Sequence, residues 1–162
     1  MTSTYVDIPQ TFAVGDQLTE STMDQIAANL DFLRNPPADI YTPSVAASTI
    51  TTTSTTFVDL TGFTTSITTQ GGAIRIDFRV RASSTSARFD LLLDTVSITG
   101  DNDGLGAVTP ASTFGNNSFF AIVAASAGAH TIKVQWRVTA GTGIVYPAGL
   151  CQLYVTEIGA VS

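Results

Sequence analysis

Residues 48–69 read STITTTSTTFVDLTGFTTSITT, and eleven of these twenty-two positions are threonine. Two readings compete for such a stretch. A Ser/Thr-rich stalk would stay unfolded and would also be rich in proline. A folded domain would use threonine as a β-branched residue, stiff at χ1 and suited to a pleated surface. Ile50, Phe57, Val58, Leu60, Phe63 and Ile67 punctuate the stretch at short intervals, and it contains no proline. It therefore reads as three short strands, near 48–53, 56–60 and 63–69, with Gly62 at a bend. Threonine supplies strand propensity there while keeping an exposed face polar and uncharged.

The residues that follow carry the period of two that marks half-buried strands. In AIRIDFRVR, Ile74, Ile76, Phe78 and Val80 fall on one face and Arg75, Asp77, Arg79 and Arg81 on the other. HTIKVQWRV places Ile132, Val134, Trp136 and Val138 inward, with Lys133, Gln135 and Arg137 outward. RFDLLLD contributes Phe89, Leu91 and Leu93, and LCQLYVTEI contributes Cys151, Leu153 and Val155. SFFAIVAA is apolar on both faces, which suits a central strand or one covered by a neighbouring subunit, with Phe119 or Phe120 at the contact. Breaks are expected at Gly71-Gly72, Ser83 to Ser86, GDNDG, GNN, SAGA, AGTG and PAG. Many short strands at this spacing predict an antiparallel β-sandwich or jelly roll over residues 46–162, with Phe78, Phe89, Leu91, Ile132, Trp136 and Leu153 in its core.

Residues 1–45 are organised differently. Met23, Ile26, Ala27, Leu30 and Leu33 recur as one helical stripe. Ser21 or Thr19 can cap its start, Glu20 and Asp24 suit the first turn, and Arg34 suits the last. Pro36 and Pro37 stop the helix, which is expected over about residues 20–34. The flanks YVDIPQTFAVGD and NPPADIYTPS read as an extended segment and a stiff, Pro-rich linker. A helix this short cannot bury its stripe alone, so it must dock on its own globule, on a second copy or on another protein. The mainly β fold is thus preceded by an extended N-terminal arm with one α-helix.

Charge sharpens the division. The chain carries a formal net charge of −6 and a pI of about 4.3. Residues 1–45 hold Asp7, Asp16, Glu20, Asp24, Asp31 and Asp39 against the single base Arg34. Nearly all the excess negative charge therefore lies in the first quarter. An acidic chain argues against phosphate-backbone binding, which needs a basic face. An acidic arm suits a basic protein partner or plain solvation. Charged residues make up only 12% of the chain, about half the usual share, so its surface must rely on Thr, Ser, Gly and Ala. No apolar run approaches the roughly 18 residues of a membrane span, so no membrane contact is expected. MTSTYVDIPQ lacks the basic start and apolar core of a signal peptide.

Few residues invite chemistry. The lone Cys151 excludes an internal disulfide and a Cys-based zinc site, and it reads as a small buried hydrophobe. His130, the only histidine, lies outside any nucleophile motif and reads as a structural residue at a strand end. Asp101 and Asp103 begin like a calcium loop, but the twelfth position is Ser112 in place of the bidentate Glu, so a tight Asp/Gly turn is expected. Asp90 and Asp94 read as outward carboxylates on one strand, without the cleft a glycosidase pair needs. Arg75, Arg79, Arg81, Arg88, Lys133 and Arg137 form a basic sheet face whose partners are expected to be carboxylates such as Asp77 and Asp90, or a neighbouring subunit. Catalytic, cofactor and metal residues are therefore not assigned, and no enzyme activity is expected.

The phrase TFAVGDQLTESTMDQIAANLDFL resembles the opening of small virion proteins of tailed bacteriophages. In these, an extended Thr-Phe-x-x-Gly-x-x-Leu-Thr segment leads into an Asn/Leu-rich helix, and a jelly-roll module often follows. FDLLLD, SFFAIVAASAGAHTIKVQWRV and LYVTEIG are similar to strand, turn and strand phrases of those modules. The resemblance covers most of the chain and extends to head-decoration (cement) proteins, head fibres and minor tail proteins. It implies no catalytic residues. It implies a structural protein of the virion, assembled in reducing host cytoplasm, a setting the absence of disulfides suits.

Two functions follow as expectations. In the first, a capsid decoration protein docks on the major capsid protein or another virion protein through its arm, using Met23, Ile26, Leu30 and Leu33 with Asp16, Glu20 and Asp24, and its jelly roll forms a homotrimer. In the second, a tail or fibre-tip module binds host glycan or protein through loop aromatics, for which Phe114 and Tyr146 are the candidates.

Overall fold

The structure, a computed structural model, describes residues 19–34, 38–41, 49–83, 87–101, 103–107, 115–147 and 151–159. Among these residues one helix, α1 (Glu20–Arg34), precedes nine strands: β1 (Ala38–Tyr41), β2 (Ile50–Thr52), β3 (Val58–Ser83), β4 (Ala87–Leu93), β5 (Val96–Ser97), β6 (Gly106–Ala107), β7 (Gly115–Val138), β8 (Gly143–Val145) and β9 (Gln152–Gly159). Every strand pairing among them is antiparallel.

The architecture follows from β3 and β7. Beyond an irregularity between Asp59 and Thr64, their register runs unbroken from Thr64↔Lys133 to Ala82↔Gly115. An extended strand would carry Phe63 and Phe78 about 50 Å apart. Their ring centroids instead lie 5.6 Å apart, edge to face. The two-stranded ribbon is therefore folded in half. The fold falls at Gly71 (φ 100°) and Gly72 (φ 148°), beside Gly128 (φ 134°) on the partner strand. A side chain disfavours such φ values, so glycine on both strands lets the ribbon bend without losing its ladder.

Each half of the ribbon seeds one layer. The first half of β3 and the second half of β7 continue through β4 to β5, with β6 also on β4. The second half of β3 and the first half of β7 continue through β9 to β1. Strand β8 joins the end of β3 and carries β2. The layers close on Phe63, Phe78, Phe89, Phe119 and Trp136, whose rings contact one another at centroid distances of 5.6 to 6.2 Å. A doubled antiparallel ribbon closed on one core is a β-sandwich of the jelly-roll type. Phe78, Phe89, Leu91, Ile132, Trp136 and Leu153 are all buried, as their alternation predicts.

Four expectations need correction. The strand foreseen at 56–60 starts at Val58, and with the one foreseen at 63–69 it belongs to β3, which runs through Gly62 (φ 83°) and on through Gly71-Gly72. GNN forms the first three residues of β7, and the break foreseen at SAGA lies inside that strand, because its ladder to β3 persists across it. Within the expected linker, Ala38–Tyr41 pair with Thr156 to Leu153 of β9, so the edge of the sheet captures this short segment. Finally, Asp90 is not outward: it is buried, and the hydroxyls of Ser97 and Thr99 donate to its carboxylate at 2.5 and 3.1 Å. Strand β5 and the turn after it fold back over β4 and supply those donors, which alternation within β4 cannot reveal.

The ribbon fold also holds polar groups that carry no sequence signature. The Thr69 hydroxyl donates to the Ser126 carbonyl at 2.6 Å. The Gln70 amide donates to the Glu157 carboxylate, 3.0 Å from each oxygen, and Glu157 is fully buried. These bonds satisfy backbone groups that the bend turns away from the ladder.

Candidate docking surfaces

Helix α1 begins as its sequence dictates. The Thr19 hydroxyl accepts from the Thr22 amide at 3.3 Å and the Thr19 carbonyl accepts from the Met23 amide at 3.1 Å, so Thr19 rather than Ser21 is the N-cap. Glu20 occupies the first turn, at the positive end of the helix dipole. Met23, Leu30 and Leu33 of the apolar stripe are 51%, 60% and 67% exposed, and Ile26 is half-buried. Asn29, which lies off the stripe, is buried. The stripe is therefore bare. Glu20 and Asp24 are exposed beside it, and Asp16 lies outside the described residues.

A second bare surface lies on the outer face of the layer built by β7, β3 and β9. Phe119 and Phe120 are adjacent in β7 and point to opposite faces. Phe119 packs on the core, with its ring centroid 6.2 Å from Phe78 and 5.7 Å from Phe89. Phe120 is 61% exposed and Ile122, on the same face, 54%. Of the two phenylalanines, Phe120 is thus the one available for a subunit contact. Among the described residues only β3 pairs with the first half of β7, so SFFAIVAA is an edge and not a central strand.

Register places a charged row beside the apolar one. Phe120 is opposite Asp77, Ile122 opposite Arg75 and Ser118 opposite Arg79. The Arg75 guanidinium donates to both Asp77 oxygens, at 2.8 and 2.9 Å, and lies 5.5 Å from the Phe120 ring centroid. That spacing suits a cation–π contact. Arg79 is exposed and Arg81 half-buried on the same face. The outer face is therefore apolar along β7, and along β3 it carries the Arg75–Asp77 pair with a net positive charge from Arg79 and Arg81.

The remaining candidates are structural. Asp103 bonds through its amide to the Asp101 carboxylate at 3.0 Å, and its own carboxylate faces Arg88 and Arg137 at 3.0 and 3.7 Å. This is an Asp/Gly turn held by arginines. Lys133 pairs with Asp59 at 2.9 Å. Cys151 is buried; its thiol donates to the Tyr146 carbonyl at 3.0 Å, and burial pushes its pKa up. Tyr146 is half-buried, and Phe114 lies outside the described residues. Among the described residues, no three His, Cys, Asp or Glu side chains gather as a metal site would require, and no helix is long and apolar enough to cross a membrane.

His130 lies within β7, not at a strand end as expected, and it clamps the ribbon fold to the turn after β4. Its Nδ1 is 3.0 Å from Asp94 Oδ2 and its Nε2 is 2.8 Å from the Ser126 carbonyl. Both partners are acceptors, and a neutral imidazole has only one N–H, so this geometry calls for the imidazolium. Asp94, at φ 59°, also accepts from the Thr131 amide at 2.9 Å. Asp94 first and the Ser126 carbonyl second raise the His130 pKa above its ordinary 6.5. The Thr131 amide first and His130 second lower the Asp94 pKa below its ordinary 3.8.

The sign follows for each partner. The stabilisation from His130 is complete below pH 6.5 and is lost as pH rises through the raised folded value; that from Asp94 is complete above pH 3.8 and is lost as pH falls through the lowered one. Thermal melts should therefore show Tm falling as pH rises above 6.5, and His130→Gln should remove that slope. Equal slopes in the two proteins would show that His130 is not held charged.

No family model matches the chain, and no curated protein matches it. Among solved structures the chain is similar to Eiger TNF from S. frugiperda, at 15% identity over 79% of this chain and 96% of that one, with a TM-score of 0.47.

Proposed function

We propose that this protein is a non-enzymatic structural protein of a bacteriophage virion, a capsid decoration (cement) protein attached through its N-terminal arm. The observation that carries this reading is the bare stripe of α1. A helix that leaves Met23, Leu30 and Leu33 exposed keeps an apolar surface for a partner, and its flanking acids add orientation. The resemblance of residues 11–33 to the arms of phage virion proteins gives that partner its class: the major capsid protein or another virion protein. The exposed Phe120 supports a self-associating globule, with a homotrimer as the expected state.

Electron microscopy of particles with and without the protein tests the assignment. A decoration protein coats the head, whereas density confined to the tail would favour the fibre-tip alternative. Because Ala38–Tyr41 belong to the sheet, the informative truncation removes residues 1–37 and spares β1. The truncated globule should stay folded and leave the particle. In the full-length chain, serine at Ile26, Leu30 and Leu33 should do nearly the same, and neutralising Asp16, Glu20 and Asp24 should weaken binding less, since exposed charges act over only about 8 Å in physiological salt. Wild-type occupancy by the truncated globule would place attachment in the jelly roll instead.

A further inference from the structure

The two bare surfaces match each other. At 3.6 residues per turn, Glu20, Asp24 and Asp31 fall within about 40° of one another, in a row along one flank of the apolar stripe. On the outer sheet face, the apolar row of Phe120 and Ile122 on β7 runs about 4.8 Å from a β3 row in which Asp77 is paired with Arg75, and Arg79 and Arg81 leave a net positive charge. Each surface thus pairs one apolar row with one charged row, and the charges are opposite. The lengths agree as well: α1 spans about 22 Å, and the face from Ala73 to Arg81 spans about 26 Å.

We propose that α1 of one copy docks on the outer β3–β7 face of a second copy. Met23, Leu30 and Leu33 would lie against Phe120 and Ile122, and the acidic row would lie over Arg79 and its neighbours. The choice of a second copy rests on the single chain, in which Met23, Leu30, Leu33, Phe120 and Ile122 are all exposed, so its own helix does not cover its own face. Only residues 35–37 separate α1 from β1, so the helix stays beside the β1 edge and a neighbouring copy must bring its face up to that edge. The contact is heterologous, helix to face, and repeating it around an axis closes a ring such as a trimer. The proposal rests on the reading of the arm as an attachment device and narrows it: α1 joins neighbouring copies into a ring and the ring meets the particle, so losing the stripe releases the protein by undoing the ring.

Sedimentation of the full-length protein tests this without particles. The wild type should self-associate reversibly. Leu30→Ser with Leu33→Ser should weaken association by roughly thirtyfold or more, the loss expected when apolar anchors leave an interface. Phe120→Ser with Ile122→Ser should do the same. Mixing the two double variants then restores one intact helix and one intact face, so a 1:1 complex should form although neither variant associates alone. All of these substitutions are at the surface, and unchanged melting temperatures would show that the folds are intact. A wild type that stays monomeric at high concentration overturns the proposal. So does a helix variant that associates like the wild type, which would mean face packs on face, or a mixture that yields no complex. Particle occupancy reports separately on the function proposed above, because a monomeric protein that still coats heads would refute only this contact.

Discussion

Replacing Trp136 with alanine should lower the unfolding free energy by roughly 3–5 kcal/mol, the range for emptying an aromatic site in a closed core. Trp136 is 1% exposed and stacks on Phe89, with an 18° interplanar angle and 6.1 Å between centroids. It pairs across the ladder with Val58 on one side and Phe89 on the other, so both neighbouring strands fix its ring. Strand β8 passes so close that a Cβ on Gly143 would stand 3.0 Å from the indole. With backbone on three sides, the site cannot collapse to fill the void. Urea denaturation at 25 °C reads the effect, and a loss of only a few tenths of a kcal/mol would show that Trp136 is not sealed in the core.

A comparably large loss is expected from Gly104→Ala, and Gly100→Ala serves as its control. Both glycines have left-handed backbones, at φ 68° and 63°. Each substitution should therefore cost roughly 1–2 kcal/mol in backbone strain. Around Gly100 nothing lies within 4 Å of the added Cβ, so strain should be the whole cost there. At Gly104 the Cβ would stand 2.5 Å from the Phe89 carbonyl oxygen and 2.8 Å from the Phe57 ring. That oxygen accepts from the Leu105 amide at 2.8 Å, so the backbone must move and the hydrogen bond with it. The displacement should add about 1–3 kcal/mol. Equal destabilisation of the two variants in the same denaturation experiment would refute the steric account.

The strand faces were legible because alternation is local: Ile74 to Val80 and Ile132 to Val138 went inward wherever the period of two placed them. The ribbon fold was not legible, since Gly71-Gly72 reads as the end of a strand unless Gly128 is known to lie beside it. A pairing between distant residues decides that point. Asp90 failed for the same reason, because its hydroxyl donors come from a segment that returns over β4. The choice between Phe119 and Phe120 also waited on pairing, which sets Phe119 among Phe78 and Phe89 and leaves Phe120 outside. The α1 stripe was visible in the sequence from its spacing, but whether the chain covers it depends on tertiary packing.

The doubled ribbon also constrains how the chain reaches its native state. Along β3 and β7 the sequence separation of paired residues more than doubles from Ala82↔Gly115 to Val58↔Trp136. Each doubling of a closed loop costs about 0.6 kcal/mol in chain entropy. Zipping is thus cheapest when it starts at the Ala82–Gly115 end and runs toward Trp136. Such distant partners place the domain among slow-folding β topologies. During the delay, the half of β7 that bears Phe120 would form first and present an open edge, so newly made chains would meet one another at that strand before their cores had closed.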